Sequence, residues 1–115
     1  WNRLHPTSEP RTPFVTRTLS GGQGPIVAVT DFMKMVPDQV GRWMPRDFVV
    51  LGTDGFGRSD SRSTLRRFFE TDTGHVVFAT LAALVRAGEI DPGVIDDAAR
   101  RYEIDPDAPN PASLH

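Results

Sequence analysis

DFVVLGTDGFGRSDSR, residues 47–62, decides how this chain is read. It opens on an unbroken apolar run, Phe48 to Leu51, then crowds Gly52, Gly55 and Gly57 among Thr53, Asp54, Arg58, Ser59, Asp60, Ser61 and Arg62. A short apolar run between turn signals reads as a strand buried on both faces, the pattern of a parallel sheet. The segment after it is either a loop that grips an anion or a turn whose own charges hold the protein together. A second run of the same kind, PIVAVT at residues 25–30, follows Gly21, Gly22 and Gly24. Between the two runs, residues 31–45 space Phe32, Val36, Val40 and Trp43 as one helical stripe. Pro37 interrupts that stripe, and an interior proline costs about 3 kcal/mol. The expectation is a kink near Met33 or a helix that starts close to Pro37, ended by Pro45. Strand, helix, strand, helix predicts an α/β fold with a mostly parallel, short-stranded sheet flanked by helices.

Outward from this centre the helix signals are local. Pro13 suits the first turn of a helix over Phe14–Leu19. Asp60 or Ser61 can cap a helix through Leu65, Phe68 and Phe69, and Asp72 or Thr73 can cap the next, residues 74–88, which Gly88 closes. From Val76 to Val85 that helix is apolar nearly all round, so it needs a large core or an interface. Asp91 and Pro92 open a last helix over residues 93–104. Residues 1–24 read as an extended connection with one short helix, 25–104 as the α/β domain, and the proline-rich 105–115 as a loosely ordered tail. The connection has no amphipathic period and opens on Trp1, which leads to the expectation that this chain is a piece of a longer one.

Composition excludes several classes. The 115 residues carry a formal net charge of -2, which gives no general attraction to nucleic acid or to an anionic membrane. There is no cysteine for a disulfide or a thiolate metal site, and no apolar run approaches the ~20 residues of a membrane span. The expected location is the cytoplasm.

The candidate sites are few. Strand, glycine turn and helix start resemble the layout of an anion site over Thr53–Ser61. Yet the lysine of a phosphate-binding loop is missing, and Asp60 falls where a third glycine belongs. Asp54, Asp60, Arg58 and Arg62 could instead satisfy one another and the loop backbone, which predicts a structural turn. Arg58, Arg62 and Arg66 fall partly at helical spacing and could meet an acidic partner, or form a solvated face paired with Asp60 and Glu70. His5, His75 and His115 have no metal-ligand spacing, and no serine sits in a nucleophile elbow. No catalytic, cofactor-binding or metal-ligating residue is assigned.

Taken in order, WNRLHP, PRTPFV, VTDFMK, VLGTDGFGRSDSR, LRRFFE, GEID and AARRYEIDPDAPNP resemble one family over nearly the whole chain. This is the C-terminal end of the homodimeric, decarboxylating component of bacterial pyruvate dehydrogenase, of the transketolase-like superfamily. The resemblance implies the later part of a transketolase C-terminal-like domain, with the first strands of the sheet absent from this chain. It implies a parent enzyme that uses thiamine diphosphate and magnesium to decarboxylate pyruvate and passes the acetyl group to lipoyl on an acyltransferase component. Those cofactors lie in the family's first two domains, so this segment is expected to bind neither and to support the fold and dimer. It also implies that Asp54–Asp60 is a signature turn of the domain. The alternative from another class is a free-standing phosphate- or nucleotide-binding module using Thr53–Ser61.

Overall fold

The computed structural model describes residues 1–55 and 59–113. Its centre is a two-stranded parallel sheet, β1 (Ile26–Val29) beside β2 (Phe48–Leu51), in register from Ile26 opposite Phe48 to Val29 opposite Leu51. Both strands are β-branched or aromatic at most positions, the composition that suits a pleated surface. The ladder runs one step past each end, because Ile26 N–H donates to Asp47 O at 2.7 Å and Thr30 N–H to Leu51 O at 2.9 Å. The α/β reading and the parallel pairing therefore hold.

Of the two expectations for the crossover, a helix that starts close to Pro37 is the one found, but it does not run on to Pro45. The crossover holds a one-turn helix, α2 (Met35–Asp38), and a separate 3-10 turn at Gly41–Trp43. Here α1 is Phe14–Leu19. Pro37 is the third residue of α2, in the first turn, where a helix has no internal acceptor for an N–H anyway. So the proline is tolerated by the helix starting just before it. The cost is the stripe: Phe32, Val36, Val40 and Trp43 no longer share a helix, and Phe32 is 57% exposed.

Arg46 ties the segment after α1 to the sheet. Its guanidinium, half-buried, donates to the carbonyls of Leu19 at 2.7 Å, Gly22 at 2.5 Å and Gly24 at 2.7 Å. Three carbonyls on one planar donor set fix the path from α1 into β1. Residues 1–13 close on themselves. Trp1 stacks on His5 with ring centroids 4.0 Å apart, Arg11 lies 3.9 Å over the indole, and Asn2 exchanges two hydrogen bonds with Arg11.

The remaining helices are α3 (Arg62–Phe68), α4 (Thr73–Arg86) and α5 (Gly93–Arg101). Ser61 Oγ caps α3 by accepting from Thr64 N–H, and Asp72 Oδ1 caps α4 by accepting from His75 N–H at 3.0 Å. The Asp91 carboxylate accepts from Gly93 N–H at 2.7 Å as α5 begins. Gly88, at φ 75°, closes α4 with the paired bonds Glu89 N–H to Leu84 O and Gly88 N–H to Val85 O. The same closure ends α3 and α5, but on glutamates, Glu70 at φ 60° and Glu103 at φ 52°.

Helix α4 packs on both strands and on α5, and the only buried apolar side chains among the described residues are Ala83 and Ala98. The rest of α4 from Val76 to Val85 is half-buried. The requirement for a larger core or an interface is thus not met within the described residues. The last 3-10 turn, Pro111–Ser113, lies against the glycine loop.

Candidate functional site

Parallel strands bring their carboxyl ends to one edge, and the residues that follow β1 and β2 meet there. Thr53 N–H donates to Phe32 O at 2.9 Å, and Thr53 Oγ1 donates to Asp31 O at 2.9 Å. Lys34 N–H donates to Asp54 Oδ1 at 2.9 Å. Gly52 is buried at this seam, where a Cβ would stand 2.8 Å from Phe32 O. Only glycine lets the two loops approach so closely. One face of Gly55, at φ 119°, is closed by Pro111 O, 2.9 Å from where a Cβ would be.

In its described part the glycine segment pairs its acids with backbone N–H groups, not with the arginines that its charges suggest. Asp54 serves the Lys34 backbone rather than an arginine, and Asp60 Oδ1 accepts from the next N–H, that of Ser61, at 2.8 Å. Among the described residues neither Arg62 nor Arg66 makes an ion pair with Asp60 or Glu70. Short carboxylates beside backbone N–H groups reach them without the entropy of ordering a long arginine. Phe56, Gly57 and Arg58, and the role expected of Arg58, lie outside the described residues.

Beside the seam is a cavity of about 690 Å³. Val29, Leu65 and Phe69 give it an apolar wall, Thr30, Asp31 and Thr53 stand at the strand ends, Asp60 precedes the cap of α3, and Arg62 and Arg66 project from α3. That volume lies within the ~300–1,000 Å³ of small-molecule sites. Arg62, Thr53 and Asp60 were singled out by the sequence; Thr30, Asp31 and Thr71 were missed. The signal existed, since Thr30 directly follows β1, Thr53 lies two residues past β2, and parallel pairing brings both to one edge.

Two of the three histidines have described structural partners. His5 stacks on Trp1 and its Nδ1 lies 2.9 Å from Trp1 O, while His75 Nδ1 lies 2.6 Å from Asp72 Oδ1. Burial alone would raise the Asp72 carboxyl. The His75 N–H, the His75 ring and the Arg67 guanidinium at 3.4 Å outweigh it and hold the group below its usual range. His115 lies outside the described residues. Among the described residues no group of three His, Asp or Glu stands together as a metal site would need, and no helix is long and apolar enough to cross a membrane.

A domain with its parallel strand ends on one edge and helices appended on its flanks is the frame of an α/β layer fold. The chain belongs to the transketolase-like TK C-terminal domain family, which it matches over residues 3–72. It is similar to proteins named pyruvate dehydrogenase E1 component: 50% identical over 112 residues to that of Pseudomonas aeruginosa, covering 96% of this chain and 13% of the relative. The Escherichia coli K12 protein is 48% identical over 112 residues, covering 96% and 12%. That of Mycobacterium tuberculosis is 50% identical over 101 residues, covering 88% and 11%. The chain thus spans about an eighth of the length of these curated relatives.

Proposed function

We propose that this chain is a non-catalytic segment of a pyruvate dehydrogenase decarboxylating subunit, supporting its fold and dimer. The observation that carries the reading is near-half identity over almost the whole chain to proteins of that name. The parent would convert pyruvate to carbon dioxide and pass the acetyl group to lipoyl on an acyltransferase partner, as a cytoplasmic homodimer within a multienzyme complex. Thiamine diphosphate and magnesium would supply the carbanion chemistry there. Among the described residues no carboxylate cluster for a diphosphate-bound cation stands together, so those residues offer the cation no ligand set. Asp54 and Asp60 are committed to backbone N–H groups. What the chain itself contributes is a sheet edge, a capped helix pair and a large unshielded apolar face.

The test compares the isolated 115 residues with the full-length enzyme. Calorimetric titration of the isolated chain with thiamine diphosphate and magnesium should show no saturable heat, while the full-length enzyme binds and turns over pyruvate. Saturable binding by the isolated chain would overturn the non-catalytic reading. Failure of the full-length enzyme to release carbon dioxide from pyruvate would overturn the parent activity.

A further inference from the structure

We propose that the cavity at the carboxyl ends of β1 and β2 binds a small hydroxylated organic anion, its charged head held by Arg62 and Arg66. The hollow lies beside the seam where the loops after β1 and β2 meet, at the carboxyl edge of the parallel strands, the edge at which open α/β sheets bind ligands. Arg62 and Arg66 stand one helical turn apart on the same face of α3 and line the same hollow. Neither guanidinium has an ion-pair partner among the described residues, whereas Arg67 beside them pairs with Asp72. Two unpaired planar donor sets converging on one cavity match a phosphoryl or carboxylate head.

The acids in the wall select which anion. Asp60 is partly satisfied by Ser61 N–H, but the Asp31 carboxylate has no described partner. A bare anion would meet that charge as repulsion. An anion carrying a hydroxyl can turn it toward Asp31 and convert the repulsion into a hydrogen bond. Thr30 Oγ1 accepts from Phe32 N–H at 3.1 Å, which leaves its own proton to donate to the head. The wall of Val29, Leu65 and Phe69 takes a short carbon skeleton. The donors are side chains, so this site is separate from the loop-backbone cradle that Thr53–Ser61 suggests in the sequence.

The experiment uses the full-length enzyme and reads binding, so it is independent of whether pyruvate is the substrate. Calorimetry with β-glycerophosphate and, separately, glycerate tells a phosphate head from a carboxylate head. At least one should bind saturably in the millimolar range. Arg62→Ala and Arg66→Ala, both exposed and without described partners, should each weaken it about tenfold, the loss of one charge-assisted contact. Arg62→Lys with Arg66→Lys, which keeps charge and loses the fork, should recover only part of it. Asp31→Asn should weaken the hydroxylated probe relative to sulfate, which has no proton to donate to Asp31 and loses only repulsion. No saturable binding of either probe, affinity unmoved by both alanine variants, or a crystal structure of the enzyme with another segment filling the cavity would overturn the proposal. Equal response of β-glycerophosphate and sulfate to Asp31→Asn would overturn its hydroxyl.

Discussion

At Asp72 one carboxylate caps α4, faces the His75 ring and meets Arg67. Its pKa is lowered in the folded state from 3.8, so the folded state favours the ionised form. The sign follows by linkage: the stabilisation is fully present above the unfolded value and is lost as pH falls through the folded one. Asp72→Asn keeps an oxygen for the His75 N–H but removes the charge. The difference in denaturant midpoint between wild type and Asp72→Asn should therefore be present at pH 5 and shrink below 3.8. A gap that stays the same down to pH 2 would mean the pairing with His75 and Arg67 contributes nothing.

Between α4 and α5 the controlling contact is Gly74 against Tyr102. A Cβ at Gly74 would stand 2.9 Å from Tyr102 Cβ and 3.2 Å from two ring atoms, so the helices meet with no room for a methyl group. Alanine in a helix is ordinarily better than glycine by about 1 kcal/mol. Here overpacking should win, and Gly74→Ala should destabilise by about 1–3 kcal/mol. Gly74→Ala with Tyr102→Ala should cost less than the two changes summed, and strict additivity in denaturation would refute the contact. Helices of this kind were legible where their signals are local. Ser61, Asp72 and Gly88 act as caps where the sequence places caps. Glu70 and Glu103 do the work that a glycine would have advertised, so their closures left no trace in the sequence. The stripe from Phe32 to Trp43 failed because proline sets where a helix starts more strongly than spacing sets where it continues. Arg46 and the Pro111–Gly55 approach span more than twenty residues, and nothing local encodes them.

On the scale of the whole molecule, the described surface is larger than its mass explains. A folded monomer of 12.7 kDa exposes about 6,200 Å², whereas this one exposes 8324 Å². Its radius of gyration is 17.2 Å against ~13 Å for a compact chain of this length. The excess of roughly 2,000 Å² is the size of an obligate interface. Much of it is apolar and contiguous in sequence, with Phe32, Met33, Met35, Val36, Val40 and Trp43 all exposed. An open two-stranded sheet under a half-buried α4 leaves the isolated chain little burial to set against the entropy of ordering it. Packed inside a full-length protein, the same residues would bury more. Hydrogen exchange at residues 32–43 should therefore be fast in the isolated chain. In the full-length enzyme it should slow by at least about 100-fold, equivalent to ~2.7 kcal/mol of added local stability. Leu81→Ala on α4 should then cost about 2–5 kcal/mol of local opening energy in the enzyme, as truncation in a completed core does. Equal exchange in both proteins would mean that this face meets only water, and that the segment's contribution to its parent lies elsewhere.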